Sequence, residues 1–137
     1  MTMPDDMRAH NRQLIADFRA DEGRSMAGRP LLLLTTTGRR TGQERTTPMM
    51  YARSGDRLFV IASNSGAKRD PHWYLNLVAD PDVTVEMTGV KFEAKAVPLS
   101  GDDYAEEWSG IKATYPFFEE HEQRAGRPIP VVSLIRQ

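Results

Sequence analysis

The run Leu31-Leu32-Leu33-Leu34, continued by Thr35-Thr36-Thr37 and then by Gly38-Arg39-Arg40-Thr41-Gly42, constrains the fold more than any other stretch. An apolar run that passes into β-branched residues reads as a buried strand. Two glycines within five residues end it in a tight loop, and Arg45-Thr46-Thr47-Pro48 is extended again. A strand that turns back at once implies an antiparallel partner. The loop also carries Arg39 and Arg40, with Arg45 just beyond. Fixed guanidinium groups beside a backbone that allows close approach suit a ligand with phosphate or carboxylate groups.

Strand signals continue from there. Residues 45–53 form a second strand, in which Pro48 argues for an edge or a bulge. Ser54-Gly55-Asp56 is a turn into residues 57–63, whose Phe59-Val60-Ile61 core predicts a central, buried strand. Residues 83–87 and 90–99 make a hairpin across Thr88-Gly89, with alternation visible in Phe92, Ala94 and Ala96. Residues 129–135 are a final strand.

Helices fall between the hairpins. Residues 4–20 are amphipathic, with Met7, Asn11, Leu14, Ile15 and Phe18 near one face, and they end at Gly23 and residues 25–28. Asp70 and Pro71 read as an N-cap followed by proline at the first helical position, starting a helix over 72–79. Ser100 caps another, with Asp102 and Asp103 in its first turn and Tyr104, Trp108, Ile111 and Tyr115 on its apolar stripe. Pro116 begins a short helix that Gly126 ends. About six strands with helices inserted between hairpins, and no strand–helix–strand repeat, predict an α+β, mainly β fold: a small antiparallel barrel flanked by helices. The expected division is an N-terminal helix and linker over 1–27 and a barrel domain over 28–137.

Charge is unevenly spread. Residues 24–53 hold six arginines against Glu44 alone, whereas residues 102–123 hold seven acids against Lys112 alone. With a net charge of −1, this favours a local anionic small molecule over nucleic acid, a solvated surface being the plain competitor. There is no cysteine, no stretch long enough for an integral membrane segment and no apolar signal-peptide middle. The default expectation is a cytoplasmic protein, at most peripheral to a membrane, and a monomer or homodimer.

Most catalytic chemistries find no support. The histidines, His10, His72 and His121, form no i, i+4 pair, so no metal site is expected. No nucleophile elbow, Walker loop or dinucleotide fingerprint occurs. What remains is anion capture by Arg39, Arg40 and Arg45, joined by Lys68 from the loop Asn64-Ser65-Gly66-Ala67-Lys68-Arg69. Trp73 and Tyr74 beside it offer a flat apolar wall, and Ser63 to Ala67 offer backbone donors. The pattern fits a flat ring with an anionic tail, as in a flavin-like cofactor.

The ordered succession 31–42, Arg45-Thr46-Thr47-Pro48, Ala62-Ser63-Asn64-Ser65-Gly66-Ala67, Pro71-His72-Trp73-Tyr74-Leu75-Asn76-Leu77, Tyr115-Pro116 and Arg127-Pro128-Ile129-Pro130-Val131-Val132 resembles the deazaflavin-dependent nitroreductase family. The resemblance covers roughly residues 28 to 135. It implies a split β-barrel oxidoreductase that moves a hydride from reduced coenzyme F-420, an 8-hydroxy-5-deazaflavin, to a small acceptor such as a quinone, nitroaromatic or enone. That coenzyme carries a phosphodiester and an oligoglutamate tail. By similarity Arg39, Arg40, Arg45 and Lys68 hold the phosphate and tail. Thr46, Pro48, Met50, Ser63, Asn64, Ala67, Trp73, Tyr74 and Asn76 line or support the ring. Tyr115 is the implied catalytic hydrogen-bond or proton donor, with Met50, Phe118 and His121 completing the acceptor site. Other family members bear tyrosines where Met50, Phe118 and His121 stand, which sets this pocket apart. An FMN-using barrel and a non-catalytic deazaflavin carrier are the alternatives.

Overall fold

The computed structural model describes residues 3–137, with side chains described from Ala9 onward. The expected helix face at Met7 therefore lies outside the described side chains. The elements are α1 (Met3–Ala20), β1 (Leu31–Thr37), β2 (Glu44–Ser54), β3 (Arg57–Ile61), α2 (His72–Ala79), β4 (Asp82–Met87), β5 (Val90–Pro98), α3 (Gly101–Thr114), α4 (Phe117–Ala125) and β6 (Val131–Arg136). The strands close into an antiparallel barrel in the order β1-β2-β3-β6-β5-β4. The barrel expected from the pattern is present.

Strand alternation sorts side chains into two cores. Leu32, Leu34, Leu58, Val60, Val83, Val85, Ala94, Ala96, Val132 and Leu134 fill the barrel interior. Ala52, Phe59, Ile61 and Val131 point outward and are covered by Trp108, Ile111, Phe118 and Ala125 from α3 and α4. Leu77 of α2 belongs to the interior cluster, and Trp73 and Tyr74 pack against it, so α2 plugs one end of the barrel.

Pro48 behaves as its chemistry demands. β3 registers with Tyr51 to Ser54 of β2, whereas Glu44 to Met50 register with β1. The Tyr51 N–H donates to Pro30 O at 3.0 Å. Antiparallel alternation then puts Pro48, opposite Leu33, at a position whose N–H would face away from β1. The missing donor thus falls on the unpaired edge.

Two helix starts differ in detail from expectation. Pro71, not Asp70, occupies the N-cap of α2, and no side chain caps that end. Asp70 is instead taken by Arg127, whose Nη1 lies 2.7 Å from its Oδ1. Ser100 does sit at the N-cap of α3, without a side-chain cap bond.

The described part of α1 lies on the barrel wall. Phe18 is its buried anchor, at 2% exposure. Arg19 donates from Nε and Nη2 to the Glu86 carboxylate at 3.0 and 2.8 Å and reaches Thr46 Oγ1 at 3.4 Å. No helix among the described residues is long and apolar enough to cross a membrane.

Candidate active site

β1 and β3 run the same way in the barrel, so the loops that leave them open at the end plugged by α2. The first loop is closed on itself: Gly38 N donates to Gln43 O at 2.7 Å and Gly42 N to Gly38 O at 2.8 Å. Gly42 adopts φ +73, which a left-handed turn position requires. At Gly38 a Cβ would lie 3.0 Å from Gln43 O, so a side chain there would require the narrow loop to give by a few tenths of an ångström.

Between this loop, the start of β2 and α2 lies a cavity of about 840 Å³ lined by Arg39, Arg40, Arg45, Thr46, Trp73 and Asn76. These sequence-predicted residues are therefore brought together. Gly38, Thr41, Glu44, Thr47 and His72 also line it and were not singled out as site residues. Of these, His72 had a readable signal, being one turn before Asn76 on the same helix.

Asn76 is 4% exposed and acts as a staple. Its Oδ1 accepts from the Arg39 backbone N–H at 3.2 Å and from Arg39 Nη1 at 2.9 Å, while its Nδ2 donates to Thr36 Oγ1 at 3.2 Å. Arg39 Nη2 also lies 3.3 Å from His72 Nδ1. Arg40 and Arg45 have no carboxylate within ion-pair distance among the described residues. The cavity thus carries three guanidinium groups against the single carboxylate of Glu44, beside the half-buried ring of Trp73. This donor set fits a phosphodiester with an acidic tail.

The second loop is built by two arginines from the far end of the chain. Arg127 donates to the carbonyls of Ala67 (3.2 Å), Ala62 (3.3 Å), Ser63 (3.3 Å) and Arg69 (3.0 Å), besides its Asp70 pair. Arg124 donates to Ser65 O at 2.9 Å. Arg127-Pro128 belongs to the motif succession, but neither arginine carries a sequence signal for this long-range scaffold role. Ser63 is 7% exposed, and its Oγ shares a hydrogen bond with His121 Nδ1 at 3.3 Å. Asn64 donates to Arg69 O at 3.1 Å. Asn64, Ala67 and Lys68 are exposed and do not line the arginine cavity. Tyr74 lies against the barrel core, where burial and then nearby Asp70 push its hydroxyl pKa up.

The outer face of β2 joins the two halves. Residues two apart share a face, so Thr46, Pro48 and Met50 form a row running from the arginine cavity toward the α3–α4 junction. Met50 and Tyr115 both pack against the outer core there. Tyr115 is the C-cap of α3, half-buried, with Phe117 and Phe118 ring centroids at 6.1 and 6.4 Å. The two phenylalanines, with ring centroids 4.4 Å apart, differ in exposure. Phe118 is 4% exposed and turns inward onto Trp108 at 5.8 Å, whereas Phe117 is 42% exposed and shares a helix face with His121, 5.5 Å away. Burial and then Arg124 lower the His121 pKa below its ordinary 6.5, against the opposing pull of Glu120. No metal-ligating cluster occurs among the described residues.

Known proteins resemble this chain over most of its length. The profile of the F420H(2)-dependent quinone reductase family matches residues 6–136. An F420H(2)-dependent quinone reductase of Mycobacterium tuberculosis (strain H37Rv) is 41% identical over 111 residues, covering 79% of this chain and 74% of that protein. Among solved structures, an F420-H2 dependent reductase is 31% identical with a TM-score of 0.69, over 77% of this chain and 94% of the other. A chain solved as a domain-swapped dimer is 27% identical with a TM-score of 0.70, over 88% and 98%. HutZ, the heme storage protein of Vibrio cholerae, at 15% identity and a TM-score of 0.59, shares the fold alone. The chain belongs to the F420H(2)-dependent quinone reductase family.

Proposed function

We propose that the protein transfers a hydride from reduced coenzyme F-420 to a small quinone-type acceptor, with nitroaromatics and enones as further candidates. The observation that carries this reading is the cavity with three guanidinium groups against one carboxylate beside Trp73. In it Arg39, fixed by Asn76, receives the phosphodiester, while Arg40 and Arg45, free of acidic partners among the described residues, receive the glutamate carboxylates. Lys68 lies outside that cavity and suits only the far end of the tail. The ring is assigned to the row Thr46, Pro48 and Met50, between Trp73 and the second loop of Ser63, Asn64 and Ala67. Tyr74 and Asn76 support it from beneath rather than touch it.

When bound, the reduced deazaflavin supplies the hydride. The protein's own part is orientation and charge. Tyr115 presents its hydroxyl to the acceptor oxygen that gains negative charge and donates a hydrogen bond or proton to it. Met50 and His121 flank that position, with Phe117 as the exposed aromatic edge and Phe118 as the buried ring that holds the helix. A two-electron hydride and a proton convert a quinone to its hydroquinone, so one donor near Tyr115 suffices.

The test is a binding titration with oxidised F-420, followed by turnover of its reduced form with a menadione-type quinone. Arg40→Ala with Arg45→Ala should weaken binding at least tenfold at low salt and flatten its salt dependence. An unchanged affinity in the double variant would sink the tail assignment.

A further inference from the structure

The barrel has two ends, and among the described residues only one is plugged. α2 closes the end that carries the arginine loop, through Leu77, Trp73 and Tyr74. The opposite end is ringed by the β2–β3 turn, the β4–β5 turn and the last residues of β6, and it opens into a second cavity of about 730 Å³. Its floor is the interior core itself, with Leu58, Met87 and Leu134 below and Tyr51 and Phe92 at the sides.

Two of the charged residues at this mouth, Arg53 and Arg136, occupy inward positions. Met49 and Tyr51 face the interior, so two-residue alternation puts Arg53 on the same face; Val132 and Leu134 do the same for Arg136. Each guanidinium lies over an inward-facing ring, Arg53 at 5.6 Å from the Tyr51 centroid and Arg136 at 4.8 Å from that of Phe92. Neither has a carboxylate within ion-pair distance among the described residues. Arg57 beside them is already committed to Asp103 and Glu107 at 2.9 and 3.0 Å. Asp56 also lines the mouth and offsets part of the charge.

We infer that this mouth is a binding site for a medium-chain acyl carboxylate, separate from the arginine-loop cavity. An apolar chain rests on the Leu58, Met87 and Leu134 floor, and its head meets Arg53 and Arg136. Two stacked cations with one acid nearby match a monoanion better than a multiply charged phosphate ester. An aliphatic floor bordered by ring faces matches a flexible chain, and mouths of β-barrels are recurrent sites for such ligands.

The experiment is a ¹H–¹⁵N NMR titration of the full chain with decanoate, with decanol as the uncharged control. Saturable shifts should centre on Tyr51, Phe92 and Leu134. Arg53→Gln with Arg136→Gln should weaken decanoate at least tenfold and leave decanol unchanged. Val90→Trp, which fills the mouth, should weaken both ligands. Shifts centred on Arg39, Arg45 and Trp73 would overturn the inference. So would equal decanoate affinity in the double variant, or no saturable binding below the concentration at which decanoate forms micelles.

Discussion

Replacing Arg127 with methionine should cost far more than a surface substitution. The guanidinium is 15% exposed and spans four carbonyls of the second loop as well as Asp70, which is 32% exposed. Hydrogen bonds to a charged group contribute about 1.5–3 kcal/mol when short and buried. Here the carbonyl contacts run from 3.0 to 3.3 Å, and the Asp70 pair is partly solvated, so each is discounted. The combined loss comes to about 3 kcal/mol, in the range for breaking a largely buried ion pair. Unfolding entropy of about 2.1 cal/mol/K per residue gives roughly 0.3 kcal/mol/K for 137 residues, hence a Tm lower by about 10 °C.

A graded series separates charge from geometry. Asp70→Asn removes only the ion pair and should lower Tm by about 3 °C. Arg127→Lys keeps the charge but has no planar fork to reach several carbonyls at once, and should fall between the two. Differential scanning calorimetry gives the order, and NMR shifts of Ser63 and His121 report whether the loop has come loose. A Tm for Arg127→Met within about 3 °C of the parent would refute the scaffold role, as would full rescue by lysine.

Two other expectations follow from particular atoms. Gly23 adopts φ +76, and a Cβ there would lie 2.5 Å from the Phe18 ring, so Gly23→Ala should drive Phe18 from its site; faster amide exchange across α1 and a loss of about 2 kcal/mol check this. Burial and Arg124 hold the folded His121 pKa below 6.5, so the unfolded chain binds more protons just below that value and stability should rise with pH through the window beneath 6.5. His121→Gln should flatten that slope in urea titrations run across the window, and an unchanged slope would show that another group sets it.

Local chemistry and the barrel itself were legible, whereas the strand partners that close it were not. The hairpin across Thr88-Gly89 and the span of α2 at His72–Ala79 follow from turn residues and periodicity. The pairings of β1 with β4 and of β3 with β6 do not, because no residue in one strand names its partner many residues away. Asp70 shows the same limit. An Asp-Pro pair is a good helix start, but Arg127 claims its carboxylate from 57 residues on. In α4 the adjacent Phe117 and Phe118 fit an apolar stripe equally in so short a helix, and only packing against Trp108 decides that Phe118 is inside. At the arginine loop the chemistry was plain from residue types, whereas the Asn76 staple that fixes Arg39 required the folded chain.

That staple makes the three arginines of the proposed cofactor site unequal. Arg39 is held by its own backbone, by Asn76 and by His72, so little conformational entropy remains for it to lose on binding. Arg40 and Arg45 are exposed and unpaired among the described residues, and each must be ordered by the ligand it meets. A fixed fork suits a group of constant geometry, such as a phosphodiester. Mobile cations suit a tail whose carboxylates differ in number and position. The two kinds of contact also respond differently to ionic strength, since exposed charges are screened over about 8 Å at physiological salt while a partly buried one is shielded less. On the proposed assignment, register along the cavity would be set at Arg39, and the salt-sensitive part of the affinity should reside in Arg40 and Arg45, so Arg39→Ala should weaken binding with the salt slope kept.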